Sequence, residues 1–78
     1  MNNKKATLRE KLYLFRCSKK LTQEGFAKSI GYKRDTYGKV ENGERTPTMK
    51  FCVAISKKWA IPLTEVLAMM EFDKGTEE

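Results

Sequence analysis

The segment spanning residues 21–43 constrains the fold of this 78-residue chain more than any other. It places a small residue, Ala27, four positions before Gly31, with apolar residues at helical spacing on both sides. A small residue lets two helices approach, a glycine turns the chain, and the apolar residues fix the crossing angle. Those apolar residues are Phe26, Ile30, Tyr32, Tyr37 and Val40. The pattern predicts two short helices packed across a tight turn.

The same segment contains signals for the ends of these two helices. Thr22 is a good N-cap, and Glu24 would lie in the first turn, where the positive end of the helix dipole favours a carboxylate. Gly31 adopts a positive φ without steric cost and therefore ends the first helix. The second helix is predicted over residues 33–42 and stops at Gly43. Most of its surface is polar, which predicts a large exposed face.

A further helix is predicted before this segment. Thr7 and Glu10 have the spacing of a capping box, in which each side chain satisfies a backbone N–H of the other residue. From residue 8 to about residue 19, apolar residues recur at intervals of three and four, which predicts one buried face. We expect that face to contain Leu8, Leu12 and Phe15, broadened by Leu14 and Cys17.

Two more helices are predicted after the segment. Thr48 caps a helix that runs to about residue 59, and its expected core face is Met49, Cys52, Ile55 and Trp59. Pro62 suits the start of the last helix, whose apolar residues are Leu63, Val66, Leu67 and Met70. No strand pattern or internal repeat is present. We therefore predict an all-α, compact five-helix domain over residues 7–72, between a flexible basic N-terminus at residues 1–6 and an acidic, frayed tail at residues 73–78.

Charge is unevenly distributed along the chain. Lys and Arg number 16 against 10 Asp and Glu, a net charge of +6. Residues 1–62 hold 15 of the basic and 5 of the acidic residues, a net +10, whereas residues 63–78 hold 1 and 5, a net −4. A cationic body suits a polyanion such as nucleic acid, because neutralised phosphates release counterions. The alternative is a surface that is merely well solvated.

Composition argues against several other classes of protein. Cys17 and Cys52 are too few for a disulfide framework, and no secretory signal or apolar run of about 18 residues is present. We expect a reduced, cytoplasmic protein that does not enter a membrane. The chain has no histidine, no cluster with metal-ligand spacing and no nucleophile beside a base, so we expect neither an enzyme nor a bound metal or cofactor. A small-molecule effector is not expected in so small a domain.

Four stretches of the 21–43 segment resemble the pattern of the phage-repressor-like (Cro/repressor, XRE-type) helix-turn-helix family. They are Leu21-Thr22-Gln23-Glu24, Phe26-Ala27, Ile30-Gly31-Tyr32 and Val40-Glu41-Asn42-Gly43. The resemblance extends to Arg16 before the motif and to Pro47, Met49, Cys52, Ile55, Trp59, Ile61, Leu63 and Val66 after it. It covers residues 8 to about 67 and implies a lambda-repressor-like DNA-binding domain.

The resemblance also implies roles for individual residues. Arg16 and Glu41 would form a structural salt bridge that holds the third helix on the first. Base contacts in the major groove fall to Arg34, Asp35 and Lys39. Contacts to the DNA backbone fall to Thr22, Gln23, Lys33, Thr36 and Arg45. The alternative for the basic residues is a solvated helix face, and for Asp35 it is stabilisation of the first helical turn.

One residue departs from what a regular third helix would contain. Gly38 lies inside the helix, where glycine costs roughly 1 kcal/mol relative to alanine. We expect it to mark a close approach to DNA or added flexibility.

The expected function is sequence-specific binding of double-stranded DNA by a transcriptional repressor, acting as a homodimer on a palindromic operator. The candidate dimer surface is Leu67, Met69, Met70 and Phe72, although these residues could instead complete the core. The alternative function is an antitoxin-type or other regulator that binds a partner protein and autoregulates its operon.

Overall fold

A computed structural model of the chain describes residues 8–71. Within that range it contains five α-helices and no strand: α1 (Glu10–Ser18), α2 (Gln23–Ser29), α3 (Arg34–Glu41), α4 (Met49–Trp59) and α5 (Leu63–Met70). The expected all-α, five-helix architecture is confirmed. Helix α1 begins with Glu10, and Arg9 occupies its N-cap position. The predicted capping box of Thr7 and Glu10, which would start the helix two residues earlier, was therefore wrong. Thr7 itself, the basic N-terminus, Phe72 and the acidic tail lie outside the described residues.

The ends of α2 and α3 are where the sequence predicts them. The Thr22 hydroxyl accepts a hydrogen bond from the Gly25 backbone N–H at 3.0 Å, as an N-cap does. Gly31 and Gly43 have φ values of 82° and 81°, the left-handed region that glycine enters without strain. Thr48 caps α4 in the same way as Thr22 caps α2, accepting from the Phe51 N–H at 3.1 Å.

The core is built around a row of aromatic rings contributed by α2, α3 and α4. The rings of Phe26 and Tyr37 have centroids 4.9 Å apart, and those of Tyr37 and Phe51 are stacked at 6.1 Å. Trp59 stacks on the other side of this row, 5.8 Å from Phe26. Aliphatic and sulfur-containing side chains from all five helices complete the buried cluster: Leu12, Ala27, Ile30, Val40, Cys52, Ile55, Val66 and Met70. Four of the five apolar residues predicted to fix the α2–α3 crossing are therefore in the core, and the fifth, Tyr32, is half-buried and packs against it.

The buried face of α1 is narrower than its apolar residues indicate. Leu12 is fully buried and Phe15 packs against the core, but Leu14 is 61% exposed and Leu8 and Cys17 are also exposed. The prediction that these three residues face the core was wrong. Leu14 and Cys17 lie well over a quarter turn from the Leu12–Phe15 stripe, and Leu8 precedes the first turn of the helix.

The core face of α4 is rotated relative to the sequence prediction. Cys52 and Ile55 are buried as expected, but Met49 is 57% exposed and Phe51 takes the buried position instead. The three buried residues define a stripe whose centre lies more than a quarter turn from Met49. The assignment of Met49 to the core was therefore wrong.

Helix α5 uses much of its apolar surface within the monomer. Met70 and Val66 are fully buried, and Leu67 and Met69 are half-buried against the same core. Met70 is therefore not available as a dimer surface, and that part of the prediction was wrong, because α5 packs against both α1 and α4. Among the described helices, none is both long and apolar enough to cross a membrane.

Candidate nucleic-acid interface

Arg16 and Glu41 form the ion pair that joins α1 to the end of α3. Arg16 Nε donates to Glu41 Oε1 at 2.8 Å, and Arg16 Nη2 donates to Glu41 Oε2 at 3.0 Å. The third donor group, Nη1, binds the Leu21 carbonyl at 2.8 Å, just before α2. A two-point contact of this kind fixes direction as well as distance. One guanidinium therefore sets the positions of α1, the α1–α2 turn and the last turn of α3.

The Glu41 carboxylate accepts two more hydrogen bonds, from Tyr37 and Gln23. Tyr37 Oη donates to Oε1 at 2.6 Å, and Gln23 Nε2 donates to Oε2 at 3.1 Å. Only 2% of the Glu41 side chain is exposed. Each carboxylate oxygen thus accepts from two donors, which satisfies a buried anion. The i, i+4 spacing of Tyr37 and Glu41 is a signal in the sequence that could have identified the tyrosine contact.

These contacts perturb the ionisation of all three members of the cluster. Burial pushes the pKa of Glu41 upward, but hydrogen bonds from Arg16, Tyr37 and Gln23 outweigh it and hold that pKa below its usual value. The hydrogen bond to Glu41 raises the pKa of Arg16. Burial, with the hydrogen bond to Glu41, raises the pKa of Tyr37. Glu41 is therefore ionised and Tyr37 neutral at physiological pH.

The other end of α3 faces solvent. Lys33 precedes the helix without a side-chain cap, and the side chains of Arg34 and Asp35 are 61% and 83% exposed. Arg34 Nη1 lies 3.5 Å from Asp35 Oδ1, an exposed contact that contributes little to stability. Lys39 is exposed on the same helix. Helix α3 is thus anchored at its end and presents exposed charged residues along its outer surface.

The residues expected to contact the DNA backbone differ in how much of their hydrogen-bonding capacity is already used. The Thr22 hydroxyl accepts the capping bond from Gly25 and keeps its own hydrogen. Gln23 Nε2 uses one of its two hydrogens on Glu41. Thr36 and the exposed Arg45 lie on the wall of one pocket of about 240 Å³, which is also lined by Tyr32, Val40, Thr46, Pro47, Thr48 and Phe51.

Gly38 makes its close approach inside the protein. It is buried in the α2–α3 contact, and a Cβ at this position would lie 3.3 Å from Gln23 Oε1. The expectation that Gly38 approaches DNA was therefore wrong, because its Cα faces α2. The absent side chain leaves room for the Gln23 amide to reach Glu41.

The buried position of Arg9 was not predicted from the sequence. Its side chain is buried and hydrogen-bonded to the ends of α3 and α5. Nothing in its local sequence distinguishes it from the solvated basic residues around it. Among residues 8–71, no group of three or more Cys, Asp, Glu or His side chains is placed to hold a metal ion.

Comparison with known proteins agrees with this arrangement. The family described as Helix-turn-helix matches residues 12–66, which includes the whole α2–α3 unit and most of the core. The chain is also 30% identical over 59 residues to an uncharacterised HTH-type transcriptional regulator of Methanocaldococcus jannaschii, and the match covers 76% of this chain and 89% of that protein. No solved structure matches the chain. With the motif, its internal salt bridge and the family match in agreement, this chain belongs to the phage-repressor-like, XRE-type helix-turn-helix family.

Proposed function

We propose that this chain is a transcriptional regulator that binds duplex DNA sequence-specifically, with α3 as its recognition helix. The observation that carries the proposal is the asymmetry of α3. Glu41 at its end is buried and bonded to α1 and α2, whereas Arg34 and Asp35 at its start are exposed. A helix anchored in this way can lie in a major groove with its first turns against base edges. The name of the Methanocaldococcus relative supports the same function.

Base reading falls to the exposed side chains of α3. Arg34 and Lys39 carry donors that match guanine O6 and N7, and Asp35 can accept from cytosine N4 or orient Arg34. The Arg34–Asp35 contact at 3.5 Å is exposed to solvent, so little energy opposes its rearrangement on DNA. Each good base contact contributes roughly 1 to 3 kcal/mol of discrimination.

The residues proposed to contact phosphates lie at or near the ends of α3, within α3 and at the start of α2. Lys33 at the start of α3 and Arg45 after its end are exposed cations. Thr36 and Arg45 line the same pocket. Thr22 and Gln23 each keep one hydrogen to donate after their internal bonds are made. Contacts of this kind position a protein on DNA without reading sequence.

We propose that the regulator represses transcription as a cytoplasmic homodimer on a palindromic operator. A single domain of this size gains useful affinity from two half-sites rather than one. On α5, Leu67 and Met69 are half-buried in the monomer and keep part of their surface accessible. Together with Phe72 they form the proposed dimer surface, from which Met70 is removed by its complete burial.

Selection of binding sites from random duplex DNA tests this function. We expect enrichment of a two-fold symmetric site, and the logarithm of the association constant should fall linearly as the logarithm of salt concentration rises. Salt-sensitive binding without an enriched site would contradict sequence-specific recognition.

Sedimentation of the protein with the enriched duplex tests the oligomeric state. Two chains per duplex are expected. One chain per duplex would contradict the homodimer. A pull-down tests the alternative, an antitoxin-type or other regulator that binds a partner protein and autoregulates its operon.

A further inference from the structure

Arg9 is the second buried charge of the described chain, and its bonds reach two helix ends. Only 4% of it is exposed. Its Nε donates to the Met70 carbonyl at 2.7 Å and its Nη1 to the Val40 carbonyl at 2.9 Å. Its backbone N–H also donates to the Glu41 carbonyl at 2.8 Å. Two of these three carbonyls belong to the last turn of α3, and the other belongs to the end of α5.

The sign of the charge suits this location. The last four carbonyls of a helix have no partner within the helix, and they form the negative end of its dipole. A guanidinium between two such ends satisfies them and is favoured by both dipoles. Burial lowers the pKa of Arg9, opposed by the nearby Glu71 carboxylate, and an arginine remains protonated even so. Arg9 therefore works as a charged cap shared by α3 and α5.

The Glu71 carboxylate, at the end of α5, binds the start of α1 close to Arg9. The N-cap position of α1 is Arg9 itself, whose side chain does not cap the helix. Glu71, which follows α5 with a φ of 49°, supplies the cap instead, because its Oε2 accepts from the Lys11 N–H at 2.8 Å. We call this set of contacts, made by Arg9, Lys11, Val40, Met70 and Glu71, the α1–α3–α5 junction.

We propose that Arg9 is a positioning residue for DNA reading, which sets the direction of α3 from its backbone while Arg16 sets it from the Glu41 side chain. This inference rests on the proposed function of α3. An eight-residue helix is about 12 Å long at 1.5 Å per residue. A tilt of about 5° at its last turn therefore moves its first turn by about 1 Å, enough to spoil a hydrogen bond to a base edge.

The role predicts a specific pattern of loss. Arg9 is buried, so its charge adds little to the attraction of phosphates, and removing it should leave non-specific DNA affinity nearly unchanged. Base contacts depend on the angle of α3 and should weaken. Loss of Arg9 therefore lowers the ratio of specific to non-specific affinity rather than both affinities together.

Three variants separate positioning from simple destabilisation. Arg9→Met keeps the apolar stem and removes the donors, and Arg9→Lys keeps the charge but replaces the guanidinium by a single ammonium group. Ile55→Val is the control, because it loosens the core without touching the junction. Each is compared with the wild-type chain at a temperature where all are folded by circular dichroism. The readout is the ratio of dissociation constants for a random duplex and for the site selected by the wild-type chain.

We expect Arg9→Met to lower this ratio about tenfold, equivalent to one base contact, with Arg9→Lys recovering part of it and Ile55→Val leaving it unchanged. Equal ratios for Arg9→Met and Ile55→Val would overturn the proposal.

Amide exchange in the free protein gives a readout that does not depend on DNA. In Arg9→Met, the amides of residues 42–45, which bond to carbonyls of α3, should lose protection while those of α4 keep it. Unchanged protection overturns the positioning role, whereas a wild-type chain that selects no site contradicts only the proposed function.

Discussion

Arg16 and Glu41 are 25 residues apart in sequence and are joined by two hydrogen bonds of 2.8 and 3.0 Å. The pair lies at the meeting point of α1, α2 and α3, where Glu41 is almost completely buried. Its geometry makes the direction of α3 depend in part on these two side chains. Their energetics can therefore be tested separately from DNA binding.

Replacing both members of this pair should lower the free energy of unfolding by less than the sum of the two single replacements. Arg16→Met leaves the Glu41 carboxylate buried and short of two donors, and such stranding costs about 3 to 5 kcal/mol. The double variant Arg16→Met with Glu41→Leu removes the charge as well and should be clearly more stable than the sum of the two single changes predicts. Urea unfolding of the four proteins measures this coupling. Additive losses would contradict a coupled, buried pair.

Stability should decline in acid because of Glu41. Its pKa is lower in the folded chain than in the unfolded chain, so its contribution is complete above the unfolded value of about 4.3 and is lost as the pH falls through the folded value. We expect the free energy of unfolding of the wild-type chain to fall over that interval. The Glu41→Gln variant should be less stable at neutral pH and should depend less steeply on pH in acid. Equal acid slopes for the two proteins would argue against this role of Glu41.

Gly38 and Gln23 should show a coupled effect on stability. Alanine at position 38 gains roughly 1 kcal/mol of helix propensity, but its Cβ would crowd Gln23 Oε1 at 3.3 Å and disturb the Gln23–Glu41 hydrogen bond. We expect Gly38→Ala to give a smaller gain in the wild-type chain than in a Gln23→Ala background. Thermal or urea unfolding of both pairs measures the difference. The same gain in unfolding free energy in both backgrounds would show that the Gln23 side chain does not need the space that Gly38 leaves.

The sequence was most informative where a backbone conformation or a repeated spacing carried the signal. Thr22, Gly31 and Gly43 predicted the ends of α2 and α3, because capping and positive φ need particular residue types. Apolar spacing alone did not predict which residues are exposed. Leu14 and Met49 are as apolar as the residues beside them, and only the packing of neighbouring helices decides that Leu12 and Phe51 are the buried ones.

Contacts between distant parts of the chain were the least predictable. Arg9 bonds to carbonyls 31 and 61 residues away, and no local pattern encodes such contacts. Gly38 was assigned to the wrong partner for the same reason, since its neighbour Gln23 is brought to it by the α2–α3 crossing. The Arg16–Glu41 pair was expected only through the family resemblance, not from spacing.

Replacing a residue that is proposed to contact phosphates should change the affinity for DNA without changing base preference. Lys33→Ala and Arg45→Ala each remove an exposed cation at one end of α3. Each should weaken binding to all duplexes alike and reduce the slope of log K against log salt by about 1. The control is Lys57→Ala, which removes an exposed cation from the last turn of α4 and should leave the slope unchanged. Identical slopes for all three variants would place the DNA on a different surface.

Selection of DNA sites by the wild-type chain, by Arg34→Ala and by Lys57→Ala tests the central claim most directly. We expect the wild-type chain and Lys57→Ala to enrich the same site, and we expect Arg34→Ala to lose preference for one guanine, at a cost of about 1 to 3 kcal/mol at that position alone. An Arg34→Ala variant that enriches the wild-type site with unchanged preference at every position would contradict the assignment of Arg34 as a base-reading residue at the start of α3.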